Sequence, residues 1–396
     1  MSPTPGIVTL KPRKALPFFS RHPWVFTGAI HSVSGALETG TEVIVRAHDG
    51  KFVARGLFNP ESNIRVRLYS WDENQPLDDE FWRRKIQAAI GLRRNLFHSD
   101  RACRVVFSEG DGISGLIVDR FNDWLVVQWT SSALQQRQDV IIETLQAELN
   151  PTGIWLRTER GIREQEGLNV EDGLLRGTAP DGPVLIEENG LTFEVDLQAG
   201  QKTGYYFDQR DNRQLPGRYG RSGRLLDVCT YTGGFALFAA YSGSSEVVAV
   251  DSSQAALDIA ERNAERNGLA GRIAFHCDDA FDFLESQVAA GERYQTIVLD
   301  PPKLARTRSG IDRALKAYAR MNRLALQLLE PDGILITCSC SGHVLREDFE
   351  QVIARASLDA GRTVQILEER GQAADHPVSA YCLETSYLKC FVIRAV

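Results

Sequence analysis

Two periodicities alternate along the second half of the chain. Short apolar runs, RLLDVCT, EVVAVD, RIAFHCD, TIVLDPP and GILITCSCS, have the length and β-branched content of strands. Between them lie GGFALFAAYSG, SQAALDIAERNAERNGL, AFDFLESQVAAG and GIDRALKAYARMNRLALQLL, where apolar residues return every three or four positions, as on one face of a helix. This alternation predicts an α/β fold, a doubly wound and mostly parallel sheet with helices on both faces. Ligands of such sheets lie at the carboxyl ends of the strands.

The first half is patterned differently. Residues 1 to about 70 read as short strands: GIVTL, WVFTGAI, TEVIVRAHDGKFVARGLFN and IRVRLYS, with a hairpin signal at His48-Asp49-Gly50. A small β-barrel is expected there. From residue 71 to about 185, a helix from Asp78 to Leu96 is followed by two strands around Asn122-Asp123. A helix from Gln135 to Leu149 and a strand at GIWLRTER come next. This part reads as a small α+β module without a chemical motif. VLIEENGLTFEVDL predicts a hairpin turning at Asn189-Gly190. The expected division is 1–75, 76–185 and 186–396.

Charge changes the picture. The 396 residues carry 45 Lys and Arg against 52 Asp and Glu, a net −7, which taken as an average argues against a nucleic-acid binder. The sum hides a gradient: residues 1–70 have nine cations against four anions, whereas 71–185 and 186–396 are each −6. Arg13 and Arg21 stand among Phe18, Phe19, Trp24 and Phe26, a basic and aromatic mixture suited to RNA. A second basic stretch, residues 303–329, is net +6 and contains Lys303, Arg306, Arg308 and Arg313. It reads as a phosphate-holding loop and helix. Seven scattered cysteines without a Cys-x-x-Cys pair indicate neither a disulfide framework nor a zinc site, and no metal is expected. The N-terminus lacks an apolar signal and no run approaches a membrane span, so a cytoplasmic location is expected.

The strand ends carry candidate chemistry. Asp227 closes one strand and is followed by the turn Cys229-Thr230-Tyr231-Thr232-Gly233-Gly234, whose glycines allow close backbone approach. Asp251 closes the next strand, placed to accept ribose hydroxyls, and Asp278-Asp279 closes the third, placed to take an adenine amine. G-x-G-x-x-G is missing, so the set describes a nucleoside cofactor without a pyrophosphate, and S-adenosylmethionine fits better than NAD. Asp300-Pro301-Pro302-Lys303 follows the next strand as a rigid turn, and resembles the motif by which amino-methyltransferases grip a flat base. Beyond GILIT, Cys338 reads as a buried thiol, whereas Cys340 lies past the apolar run beside a glycine. A thiolate there has a specific use. Carbon 5 of a pyrimidine is a poor nucleophile until a thiolate adds to carbon 6.

RHPWVFTGAI, KTGYYFDQRDNR, DVCTYTGGFA, VDSSQAALDIAERN, DPPK, CSCSG and AADHPV together resemble the ribosomal RNA large subunit methyltransferase I family. The resemblance spans nearly the whole chain. It implies an N-terminal PUA domain, a central α+β domain and a Rossmann-like methyltransferase domain. It also implies S-adenosylmethionine-dependent methylation of a cytosine at carbon 5 in 23S rRNA, free or in a large-subunit assembly intermediate. By position it makes Cys340 the nucleophile and Asp300 the residue that orients the base. Lys202, Asp208, Arg210, Asp227, Gly233, Asp251, Asp279 and Asp300 would then line the cofactor pocket. Many RNA cytosine-C5 methyltransferases carry a second cysteine directly after the proline turn. Lys303 stands there instead, and Cys338 is not given that role. Two alternatives stay open, an rRNA guanine-N methyltransferase on the same fold and a non-catalytic RNA-binding protein. So does assembly as a homodimer.

Overall fold

The computed structural model describes residues 5–35, 37–97, 101–197, 203–220, 222–305 and 307–396, apart from the side chain of Arg160. Lys202 and Arg306 lie outside the described residues. The chain divides into two compact units. The first comprises Met1–Glu187, Val195–Phe207 and Ala374–Thr385, and the second Glu188–Glu194, Asp208–Ala373 and Ser386–Val396. The chain first passes between them in a hairpin of Val184–Glu188 and Leu191–Val195. Asn189 and Gly190 turn it with φ of 50° and 84°, the left-handed pair that a two-residue hairpin needs.

The first unit holds two sheets. One is six-stranded and mixed. Its spatial order is Trp24–Phe26, Ile64–Ser70, Phe52–Phe58, Glu42–Arg46, Gly6–Leu10, Ile30–Ser34, and its parallel pair joins Gly6–Leu10 to Glu42–Arg46. The other is five-stranded, in the order Gly173–Gly177, Gly153–Leu156, Trp124–Trp129, Leu116–Phe121, Ala102–Phe107. Helix Asp79–Leu96, capped by the Asp78 carboxylate on the Phe81 N–H (2.9 Å), shares a core with this second sheet through Trp82, Ile86 and Ile90. The expected helix from Gln135 to Leu149 is two pieces, Ser132–Gln135 and Gln138–Leu149, because Arg137 leaves helical geometry.

One strand couples these layers. Along Ile64–Ser70 the side chains alternate, sending Val66 and Leu68 into the core of the six-stranded sheet and Tyr69 into the core beneath the other. Arg67 goes with Tyr69 and is 6% exposed. Its guanidinium donates to Glu109 (3.1 Å), Ser114 (2.9 Å), the Thr130 carbonyl (3.0 Å) and Glu166 (3.1 Å). Burial alone raises the Glu109 carboxyl pKa, but Arg67, Ser114, Ser108 and Trp24 outweigh it and hold the group below its usual range.

The second unit is a seven-stranded sheet of β1 (Arg224–Val228), β2 (Glu246–Asp251), β3 (Ile273–Cys277), β4 (Tyr294–Leu299), β5 (Leu329–Ser339), β6 (Val364–Arg370) and β7 (Lys389–Ala395). The spatial order is β3-β2-β1-β4-β5-β7-β6. The first five are parallel, as the alternation predicts, and β7 is antiparallel to both β5 and β6. Helices α1 (Gly234–Tyr241), α2 (Gln254–Arg266), α3 (Ala280–Ala290), α4 (Ile311–Leu328) and α5 (Arg346–Asp359) connect the strands. One face of the sheet buries Val250, Leu299, Leu335 and Phe391 with Tyr318, Leu324 and Phe349. The other buries Val298, Ile336, Cys338 and Val392 with Leu215 and Phe235. Helix α5 and strands β6 and β7 lie outside the alternation read from sequence. No described helix is long and apolar enough to cross a membrane.

Replacing Arg67 by alanine leaves Glu109 and Glu166 buried without their cation. The expected loss is about 3–5 kcal/mol in the unfolding free energy of the first unit, read as a drop in urea midpoint at neutral pH. The deficit should shrink as the pH falls and the Glu109 carboxylate becomes neutral, since a group held low in the fold contributes stability that is lost as pH falls through its folded pKa.

Candidate active site at the carboxyl edge

The parallel strands deliver one carboxylate after another to one edge. Asp227 is the penultimate residue of β1, Asp251 the last of β2, Asp279 lies two residues past β3, and Asp300 directly follows β4. All four act on one thiol. Burial pushes the Cys229 pKa well up, and Asp251, Asp300, Asp227 and Asp279 each push it further. The structure therefore gathers these four residues, as their positions in the sequence led one to expect.

Their environments differ. Asp227 is fully buried, and its Oδ2 accepts from the Thr230 hydroxyl (2.5 Å) and the Ala236 N–H (3.0 Å). Its Oδ1 is buried without a hydrogen-bond partner. Burial, with Asp300 and Asp251 adding to it, pushes the carboxyl up to about 7. Asp251 accepts from the Tyr231 N–H (2.9 Å) and the Ser253 N–H (2.9 Å). Asp279 is exposed and caps α3, accepting from the N–H groups of Phe281 (2.8 Å) and Asp282 (3.3 Å). Asp300 accepts from the Gln209 amide at 3.0 Å.

The turn after β1 is held in an uncommon shape. Cys229, Tyr231 and Gly233 have φ of 64°, 53° and 85°. Such clustering of left-handed residues is typical of functional loops. Gly233 is required for packing: a Cβ there would meet Leu237 Cδ1 at 2.5 Å and Ala260 Cβ at 3.1 Å.

The residues taken from the KTGYYFDQR block divide. Asp208 is buried and accepts a hydrogen bond from the Tyr387 hydroxyl (2.5 Å). Arg210 is 2% exposed and faces the buried Glu188 at 3.9 Å, and Arg213 bonds the same carboxylate at 2.8 Å. Arg210 thus answers a buried anion. Gln209, between them, reaches Asp300, and it was not among the residues expected from sequence.

The second half of the edge is built by β5. The strand ends at Ser339, so Cys340 lies just beyond the ladder, half-buried, with its sulfur 3.9 Å from the Pro301 carbonyl. The DPPK and CSCSG motifs, 39 residues apart, therefore meet. Tyr318 of α4 clamps the segment, its hydroxyl bonded to Ser339 (3.0 Å) and Ser341 (3.1 Å). Ser341 also receives the Ala305 N–H at 3.1 Å. Cys338 is fully buried opposite Cys390, its cross-strand partner, and that neighbour together with burial drives its pKa well above the ordinary value. Lys389, 4% exposed, donates to the carbonyls of Ser341 (2.7 Å) and Tyr387 (2.8 Å). No sequence signal marked Tyr387 or Lys389, since antiparallel β7 brings them in.

Of the basic residues, Arg13, Arg21, Lys303, Arg308 and Arg313 are all exposed. Arg21 lies over the Tyr381 ring at 5.6 Å. Arg320 of the second basic stretch is bonded to Glu285 (2.6 Å) and stacked on Phe281. The net +5 of residues 1–70 is likewise offset from beyond the segment: Arg46 pairs with Glu73, and Arg67 with Glu109 and Glu166. No disulfide joins the seven cysteines. In the first unit His22, Cys382 and Glu384 bring their ligand atoms within 4.8 Å of one another, a grouping that Cys spacing does not reveal.

S-adenosylmethionine carries a sulfonium and an ammonium. A group of carboxylates with one buried oxygen lacking a partner suits such a cation.

Comparison with known proteins agrees. A family model described as S-adenosylmethionine-dependent methyltransferase matches residues 175–376, and one described as PUA-like domain matches residues 8–71. Among solved structures, a SAM-dependent methyltransferase from Streptococcus mutans superposes with a TM-score of 0.83 at 19% identity, covering 98% of this chain and 99% of the other. A methyltransferase complexed with SAH gives 0.84 at 21%, with the same coverage. Among curated proteins, the ribosomal RNA large subunit methyltransferase I of Tolumonas auensis is 42% identical over 381 residues, 95% of this chain and 96% of its own. That of Escherichia coli O139:H28 is 41% identical over 379 residues, with the same coverage. An S-adenosylmethionine-dependent methyltransferase with a PUA-like N-terminal domain, the chain belongs to the ribosomal RNA large subunit methyltransferase I family.

Proposed function

We propose that this enzyme methylates carbon 5 of a cytosine in large-subunit ribosomal RNA, through a bond between Cys340 and carbon 6 of the base. The observation that carries the reading is Cys340, half-buried at the sheet's carboxyl edge with its sulfur beside the Pro301 carbonyl. Methylation of an exocyclic or ring nitrogen needs no such nucleophile. The relatives' names support ribosomal RNA as the substrate.

In this reading Asp300, steadied by Gln209, holds the base edge against the DPP turn. The Cys340 thiolate adds to carbon 6, and the displaced electron pair makes carbon 5 nucleophilic. When bound, S-adenosylmethionine supplies an electrophilic methyl group. Loss of the carbon-5 proton then expels the thiolate and restores the ring. Asp227, Asp251 and Asp279, with Asp208, Gly233 and Lys202, hold the donor. Arg13 and Arg21, and separately Lys303, Arg306, Arg308 and Arg313, take RNA phosphates. Residues 1–75, 76–185 and 186–396 would be the RNA-reading, central and catalytic parts.

Cys340→Ala should lower methyl transfer by about 10³-fold or more while S-adenosylmethionine binding by calorimetry stays within about twofold. Mass spectrometry of nucleosides from RNA treated with the wild-type enzyme should show 5-methylcytidine. Methylguanosine in its place would replace this reading with the guanine-N alternative.

Asp227 sets a pH dependence. Because its carboxyl is raised to about 7, the neutral acid dominates below that pH and the anion above it. Affinity for the cationic donor should therefore rise as pH increases through about 7, with a proton released on binding. In Asp227→Asn this rise should flatten, measured by titration calorimetry on either side of neutrality.

Charge reversal at Arg308 and Arg313 should weaken RNA binding and reduce the salt slope by about one for each phosphate contact removed. An unchanged slope would remove that loop from the RNA track.

A further inference from the structure

A buried lysine from the C-terminal strand is bonded to the segment that carries Cys340. Lys389 opens β7, whose register places it directly opposite Ser339, the residue before Cys340. Its side chain is almost fully buried, and its Nζ bonds the carbonyl of Ser341, the residue after Cys340, at 2.7 Å. The same Nζ donates to the Tyr387 carbonyl at 2.8 Å. The first bond is anchored just past the carboxyl end of β5, where Cys340 leaves the ladder, and the second is local to the start of β7. An ammonium has a third N–H beyond these two. Taking a lysine out of water at this place is costly without an anion to answer it.

We propose that Lys389 is the positioning residue that holds the Cys340 thiolate, so that the nucleophile is charged at neutral pH and is a competent leaving group when product is released. The inference rests on the cytosine-C5 reading above and deepens it. In the resting state the thiol is beside the Pro301 carbonyl, which can accept its proton but offers nothing to an anion. On ionisation the proton passes to solvent and the sulfur's new charge is answered by the Lys389 ammonium. The S–C6 bond then forms at the expense of the C5–C6 π pair. On elimination the pair returns to the ring and the sulfur regains the ammonium.

The surrounding charges are consistent with this role. Burial lowers the Lys389 pKa to about 8, while Cys340 and Asp348 support its charge and Arg346 and Lys303 oppose it. The ammonium is present at neutral pH and is lost as pH rises through about 8. The four groups that act on this lysine come from the segment after β5, the start of α5 and the proline turn.

The test reads the thiol directly and uses the full-length enzyme without RNA or donor. Iodoacetamide labelling of the Cys340 peptide is followed by mass spectrometry across a pH series, with exposed Cys277 as the internal reference. Lys389→Met should shift the Cys340 profile upward by about one pH unit or more, a roughly tenfold slower labelling at neutral pH. Cys277 should be unaffected. Lys389→Arg should keep most of the wild-type profile. A merely structural role predicts the opposite sign, faster labelling of a loosened site with no shift in pH dependence, and that result overturns the proposal, as does an unchanged profile. Should the Met variant not fold, Lys389→Gln against Lys389→Arg gives the same comparison. A different methylated nucleoside would sink the cytosine-C5 reading while leaving this labelling result standing, so the two failures are distinguishable.

Discussion

Like charges gathered at one edge of a parallel sheet repel, and the second unit depends on how that repulsion is managed. Asp227, Asp251, Asp279 and Asp300 arrive from β1 to β4, close enough that each acts on the single Cys229 thiol. Backbone N–H groups of the following turns and helix starts absorb part of the charge on Asp227, Asp251 and Asp279. Asp227, sealed off from water, stays near its neutral form until pH rises to about 7. An edge so charged suits a cationic ligand, and S-adenosylmethionine carries a sulfonium and an ammonium.

The strand order then separates the two kinds of charge. The carboxylates occupy the β3-β2-β1-β4 side, while Cys340 follows just past β5 and Lys389 opens β7, where Lys303 and Arg346 also act on it. In the proposed reaction a cationic donor and an anionic nucleophile want opposite surroundings, and the order of the strands would give one sheet both. Asp300 and Pro301 sit at the junction, one beside Gln209 and the other beside Cys340. The clamp of Tyr318 on Ser339 and Ser341 keeps the short segment that carries Cys340 from relaxing away.

Charge also explains why the first unit is one body. Counted along the chain, residues 1–70 look like a free basic surface. In space, Arg46, Arg55 and Arg67 are answered by carboxylates, and three of the four partners come from beyond residue 70. Arg67 is the extreme case, a buried guanidinium on a strand whose two faces serve two cores. The cations left on the surface, Arg13 and Arg21 among them, are fewer than the sum implies. Segment charge is additive along a sequence, whereas surface charge depends on which pairs form.

The sequence by itself determined what is local or periodic. The alternating strands and helices of residues 224–339, the Asn189-Gly190 turn, the carboxylates at successive strand ends and the exit of Cys340 from its strand all follow from side-chain period, turn chemistry and the βαβ rule. Gln209, Tyr387 and Lys389 were not legible in it. Tyr387 and Lys389 reach the site because the C-terminal strand runs antiparallel between β5 and β6, and strand register is set by burial on both faces and not by any short motif. Only the tertiary structure decided which carboxylate is buried, which arginines are neutralised, and which buried ammonium bonds the Ser341 carbonyl next to Cys340. Each of those is a matter of distance and desolvation between residues far apart in the chain.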